Sequence, residues 1–197
     1  WDVVLKAGSE HLRQRPDLAH VWREIRNPDD MLRAWDTLTS WNGIRKDTKF
    51  FVQKSAPDGV QVSYSVIEDP LFGPLVSFGL AGAPSDLLGD RAYGIPPMTD
   101  SDAADMVSNL RAAPLLFGYR GSDPVDVAAV QDVLVRLAAM KEDLPEIAEL
   151  DLEPVSVHAD GLTALSARAK VVPSTDRRGE WYVRRLSRPA STGDTLT

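Results

Sequence analysis

The sequence predicts a mixed α/β or α+β fold. Strand-like and helix-like segments are interspersed along the chain, antiparallel hairpin signals join some of the strands, and the helical segments start on capping residues.

Taken in order, Val3 to Ala7 reads as a short buried-type strand. The chain runs into it from its first residue: Trp1-Asp2-Val3-Val4-Leu5-Lys6 has no cap, loop or initiator Met ahead of it, so we expect an N-terminally truncated piece of a longer protein. Asn27-Pro28-Asp29-Asp30 opens a helix, with Asn27 as cap, Pro28 in the first turn and two Asp at the positive helix end. Met31, Ala34, Trp35 and Leu38 then share one apolar face. Lys49 to Lys54 is a strand, and Pro57-Asp58-Gly59 a turn. Val60, Val62, Tyr64 and Val66 alternate with Gln61, Ser63 and Ser65, which predicts a half-exposed strand paired with the previous one. Leu75 to Phe78 is a further strand running into a glycine-bearing loop, Gly79-Leu80-Ala81-Gly82.

Thr99 can cap a helix whose Ala103, Met106, Val107 and Leu110 share a face. Asp123-Pro124 opens another, with Val127, Val130, Leu134 and Leu137 facing inward. Leu150 to Val157 and Leu162 to Val172 are strands joined by the tight turn His158-Ala159-Asp160-Gly161. The end from Ser187 to Thr197 is polar and is expected to fray.

Composition narrows the function. With 197 residues, 43% hydrophobic and 26% charged, the chain has the balance of a soluble protein with one core or two small lobes. A net charge of -7 and the lack of a basic run argue against nucleic acid, whose phosphates need a basic footprint. No apolar run approaches a membrane span, and no basic start precedes a short apolar stretch. The absence of cysteine excludes disulfides and thiolate zinc sites and is consistent with a cytoplasmic protein.

Chemistry-bearing residues are few. Lys6 ends the first strand, where a lysine can meet a phosphate as a point charge, although most such lysines are solvated surface residues. The loop Phe78 to Gly82 can turn backbone N–H groups toward an anion; two glycines also make an ordinary turn. Asp151 and Glu153 lie two apart and so share a strand face, with Ser166 and Arg168 on the neighbouring strand. Paired carboxylates of this kind suit Mg²⁺. Equally, they suit a solvated sheet face on which Arg168 offsets the acids, and the pattern alone does not choose. His11, His20 and His158 lack metal-like spacing, and no Walker loop, dinucleotide fingerprint, Gly-x-Ser-x-Gly or His-Glu-x-x-His motif is present.

Several segments in order resemble one family. Val3-Val4-Leu5-Lys6, Pro16-Asp17-Leu18-Ala19-His20-Val21 and Phe51-Val52-Gln53-Lys54 look like the start of its ATP-grasp domain. Glu68-Asp69-Pro70-Leu71-Phe72-Gly73-Pro74 with Phe78 to Gly82 is similar to its central strand and glycine loop. Tyr93 to Met98 is like its Phe-Arg-Leu-Pro-Pro-Leu run, and Leu115 to Gly121 reads Leu-Leu-Phe-Gly-Tyr-Arg-Gly. Glu146 to Pro154 resembles Pro-Glu-Ile-x-Glu-Leu-Asp-Ile-Asn-Pro, and Ala164 to Arg168 resembles Ala-Leu-Asp-Ala-Arg. The family is the ADP-forming acyl-CoA synthetases (ADP-forming acetate–CoA ligases), related to the succinyl-CoA synthetase β-subunit. In some actinobacterial chains the same module is fused to an N-acetyltransferase domain, and Trp181 to Leu186 looks like the end of such chains.

The resemblance implies an ATP-grasp fold, two lobes around a cleft. Residues 1–56 would be a partial small lobe, 57–173 the large lobe and 174–197 a tail. ATP or ADP would be held by Lys6, by Val52, Gln53 and Lys54 at the hinge beside adenine, and by Gly79 and Gly82 near the transferred phosphate. Mg²⁺ would fall to Glu153, Asp151 and Ser166, with Asp151 and Glu153 facing Lys6. A CoA-binding synthetase module, and in fused chains the acetyltransferase, would be the partners.

The family pattern is broken at several of these positions. The second phosphate-carrying histidine, in His-Lys-Ser-Asp-Val-Gly-Gly-Val, corresponds to Gln14, and an amide cannot carry phosphate as imidazole does. The Gly-Gly pair is Ala19-His20, which adds side chains where backbone alone may be required to fit. The metal-binding Asn and Asp become Glu153 and Ser166, and a neutral hydroxyl is a poor ligand for a hard cation. Asp86 and Gln61 stand at two further acidic positions. We therefore expect no catalytic residue at the shuttle position and a degenerate, regulatory domain, a pseudoenzyme that keeps or has lost nucleotide binding. The alternatives are an active ligase half with its shuttle rebuilt around His11 or His20, and a domain used only for assembly.

Overall fold

The computed structural model describes residues 1–8, 21–41, 44, 46, 48–69, 71–82 and 87–173. They fall into two units, Trp1–Pro57 and the residues from Asp58 onward, each described by itself.

The first unit is a three-stranded antiparallel sheet in the order β2-β1-β3, made by β1 (Val3–Gly8), β2 (Val21–Ile25) and β3 (Lys49–Lys54). The helix α1 (Pro28–Thr39) lies against it. Asn27 caps that helix by accepting from Asp30 N, and Pro28 and the two Asp occupy its first turn as the sequence predicts. Strand alternation turns Leu5 inward, where it meets Ile25, Ala34 and Leu38 in a small core with Met31 at its margin. Trp35 is drawn to the outside of this face, 44% exposed and stacked at a tilt on Phe50.

In the second unit, β4 (Val60–Asp69), β5 (Gly73–Leu80), β6 (Arg91–Gly94), β7 (Ile147–His158), β8 (Gly161–Ala164) and β9 (Ala167–Val171) form an antiparallel sheet. Its order is β6-β5-β4-β7-β8, and β9 also pairs with β7. The helices α2 (Asp100–Ser108) and α3 (Val127–Asp143) cover one face. Val62, Tyr64, Val66, Val76 and Phe78 meet Ala103, Met106, Val107, Val130 and Leu134 there in a closed apolar core. Burying one such side chain stabilises the fold by roughly 1.5–3 kcal/mol. Thr99 begins α2 with a complete capping box, in which Asp102 returns a carboxylate to the Thr99 N–H.

Four expectations about elements change. The Val60 strand does not pair with Lys49–Lys54: β4 lies between β5 and β7, and β3 pairs with β1. The alternation itself holds: Val62, Tyr64 and Val66 are fully buried under the helices, while Gln61 and Ser65 on the other face stay partly exposed. Pro57-Asp58-Gly59, expected to turn, lies in an irregular link, residues 55–59, between the units. Gly79 is a strand residue, since β5 runs on through Leu80. The helix expected at Asp123-Pro124 starts later, with Asp126 as its cap accepting from Ala129 N.

The hairpin His158 to Gly161 forms as predicted, with His158 opposite Gly161 at φ +128. The returning chain is broken between β8 and β9, so Ser166 sits between strands instead of within one. Among the described residues no helix is long and apolar enough to cross a membrane.

Candidate nucleotide-facing site

The face of the second sheet turned away from α2 and α3 is polar. In antiparallel pairs, directly opposed residues share a face. The register Arg168–Asp151–Ser65–Ser77–Tyr93 therefore lays one row of polar side chains across β9, β7, β4, β5 and β6. A second row runs Ser63–Gly79–Arg91.

Arg91 organises this second row. Its guanidinium donates to Ser63 Oγ at 2.6 Å and to Ser77 Oγ at 3.1 Å, reaching from β6 over β5 to β4. Both serines are almost fully buried. Gly79 lies beneath this reach, and a Cβ there would stand 2.8 Å from Asp90 O and 3.1 Å from the Arg91 side chain. Gly82, just beyond the strand, has φ +107, a conformation that favours glycine. Asp90 is itself engaged, accepting from the N–H groups of Arg111 and Ala112 at 2.9 Å.

On β7, alternation gives Asp151 and Glu153 one face. Asp151 accepts from Arg168 Nη2 at 3.0 Å and from Nε at 3.3 Å, and Lys170 meets Glu149 at 2.8 Å. Ser166 is next to Glu153: its carbonyl accepts from Glu153 N at 3.2 Å. Among the described residues no three His, Asp or Glu side chains are grouped so as to hold a metal. Asp151 is thus paired with an arginine, Glu153 is an exposed carboxylate and Ser166 is a neutral hydroxyl.

The other expected nucleotide contacts belong to the first unit. Lys6 is half-buried on β1, opposite Phe51 and Val21 and on the face away from Leu5. Val52 and Lys54 oppose Leu5 and Val3, whereas Gln53 opposes Val4, so the expected adenine stretch is a strand that divides its side chains between two faces. Gln14, His11, Ala19, His20 and Asp86 lie outside the described residues. Gln61 is half-buried on β4, opposite Ser156.

Sequence reading missed Arg91. It is a single arginine at the start of a short strand, and only the pairing of three strands shows that Ser63, Ser77 and Arg91 meet. A separate depression of about 450 Å³ lies on the helix side, between β6 and α2, lined by Gly94, Met98, Asp102 and Met106 among others. It shares no wall with the polar face beyond β6 itself, and its acids Asp102 and Asp105 both come from α2, whereas the polar face gathers side chains from five strands and is the stronger candidate.

A six-stranded sheet with helices on one face and a polar open face, preceded by a small three-stranded unit, is the arrangement of an ATP-grasp domain. The ATP-grasp domain family matches residues 1–171. The chain belongs to that family, in the branch represented by the beta subunits of ADP-forming acetate–CoA ligases. It is 31% identical to the acetate–CoA ligase [ADP-forming] I subunit beta of Pyrococcus furiosus over 172 residues, covering 85% of this chain and 74% of that protein. Identity to the II subunit beta of the same organism is 32% over 177 residues, covering 87% and 75%. Among solved structures it is similar to the Ca. Korarchaeum cryptofilum dinucleotide forming acetyl-coenzyme A synthetase 1 in complex with coenzyme A and Mg-AMPPCP. The TM-score is 0.74 at 32% identity, covering 87% of this chain and 77% of that one.

Proposed function

We propose that this chain is the nucleotide-binding domain of a multidomain acyl-CoA synthetase-type protein in which turnover has been lost and binding of nucleotide or acyl-CoA serves regulation. The observation that carries this reading is the neutral Ser166 beside Glu153, at the two positions where the family resemblance places a metal-binding Asp and Asn. Gln14, where the family resemblance places a phosphate-carrying histidine, points the same way.

This chain's own part is to bind the nucleotide, and the polar face around Gly79 and Gly82 is the surface of the second unit proposed for it. A CoA-binding synthetase module is the partner this reading requires; an acetyltransferase domain of the same protein is a further one, and the cytoplasm the setting.

The test is to combine this chain with its CoA-binding module, ATP, Mg²⁺, CoA and a panel of short carboxylic acids, and to follow ADP release and thioester formation. Binding of ATP by calorimetry without ADP release supports the proposal. Steady formation of ADP and acyl-CoA overturns it. It would instead favour an active ligase half, a reading that the identity to ADP-forming ligases along most of the chain already supports. In that case loss of turnover in His11→Ala or His20→Ala would place the rebuilt shuttle.

A further inference from the structure

We propose that Arg91 is the anion-recognition residue of the second unit and that it supplies, in place of a metal ion, the positive charge that a bound polyphosphate needs. The inference rests on the nucleotide-binding reading above and adds to it a residue and a consequence: binding that does not depend on Mg²⁺.

The argument begins with charge. Among the described residues no carboxylate lies within ion-pairing reach of Arg91, and its contacts are the hydroxyls of Ser63 and Ser77. Arginine is essentially never neutral in a protein, so a full positive charge is held over the sheet by neutral partners. The other arginine of this face, Arg168, is matched by Asp151. Elsewhere Arg136 is paired with Asp132 and Arg33 with Asp30. Among the described residues Arg91 is thus held in place without a carboxylate partner.

Position follows from the register. Ser63 lies between the pairs Val62–Val155 and Tyr64–Leu152, and is therefore opposite the Glu153-Pro154 bulge of β7. A guanidinium hydrogen-bonded to Ser63 stands about one strand spacing, ~5 Å, from the strand that bears Asp151 and Glu153. This is the side of the sheet on which the metal cage is incomplete. The two serines use only part of the guanidinium's planar set of donors, and the remaining N–H groups suit bidentate contact with phosphate oxygens. Buried Ser63 and Ser77 fix its orientation, which lowers the entropy cost of capturing a ligand. The removal of a side chain at Gly79 keeps the space under the arginine open for this reach.

The experiment is a titration of this chain with ATP and, separately, with inorganic tripolyphosphate, each in EDTA and in Mg²⁺. It compares the wild type with Arg91→Gln, Arg91→Lys and the exposed control Arg120→Gln. Glutamine is too short to span β5 to Ser63, so the thermal midpoint of Arg91→Gln is measured beside its affinity; Arg91→Lys keeps the length and the charge and covers the case in which that midpoint falls. We expect wild-type affinity for both probes to be of the same order with and without Mg²⁺. Arg91→Gln should weaken both by about tenfold or more, the size of one lost hydrogen bond to a charged group. Arg91→Lys should fall between, and Arg120→Gln should match the wild type. ATP binding that needs Mg²⁺, or that is the same in Arg91→Gln, overturns this inference and leaves the nucleotide reading intact. Wild-type protein that binds neither probe in either condition overturns both.

Discussion

The ammonium of Lys141 meets the carboxylate of Glu68 at 2.7 Å, and the two sides of this pair differ sharply in burial, 2% against 32% exposed. Lys141 also donates to the carbonyl of Ile147 at 2.8 Å, so it ties the end of α3 to the start of β7 and the far end of β4. The unequal burial makes the pair unequal to mutation. Glu68→Ala strands a charge inside the protein and should cost about 3–5 kcal/mol. Lys141→Met keeps the apolar stem and leaves a carboxylate that water can reach, so roughly 1–3 kcal/mol is expected. Urea midpoints of the two variants check the order; a larger loss for Lys141→Met would contradict it.

The start of α2 sets an acid limit. The carboxyl of Asp102 is held below its ordinary range, chiefly by the backbone N–H of Thr99 and then by the Thr99 hydroxyl. A depressed carboxyl stabilises the fold above its unfolded value of ~3.9, and that contribution is lost as the pH falls through the folded value. Asp102→Asn should therefore flatten the acid side of a plot of melting temperature against pH. Thr99→Ala, which removes the cap at every pH, should cost about 1 kcal/mol.

An alkaline limit comes from the core. Tyr64 is fully buried against Phe78, their ring centroids 5.1 Å apart, and burial pushes its hydroxyl well above the usual phenol range. The neutral form is favoured in the folded protein. Stability from this group is complete below the unfolded value of ~10 and is lost as the pH rises beyond it. Tyr64→Phe should be more resistant than wild type to unfolding above that pH. Spectrophotometric titration of the tyrosinates during alkaline unfolding gives the direct reading.

The helices α1 and α2 and their caps were legible in the sequence because their signals are local, whereas the start of α3 at Asp126 was not. Asn27 before Pro28, and Thr99 three residues before Asp102, satisfy N–H groups within one turn, and no distant residue can change that. The hairpin at His158–Gly161 was legible for the same reason. The partner of β4 was not. Neighbouring strands in sequence often pair, but here the break between the two units falls between them, and β4 instead meets β7, far along the chain. Gly79 read as loop because glycine weakens strands; what retains it in β5 is the closeness of Asp90 and Arg91 on the neighbouring strand. Arg91 was invisible because its partners are 28 and 14 residues away and only the register of three strands assembles them.

The alternation along β4 separates what holds this domain together from what it can do. Val62, Tyr64 and Val66 answer to the helices, while Gln61 and Ser65 point to the opposite side, where among the described residues no helix covers them. A lineage can therefore exchange ligand-handling side chains on that open side, even to the point of losing a reaction, without unsettling the interior. Such a scaffold can take up new ligand contacts on one side while its interior stays as it is.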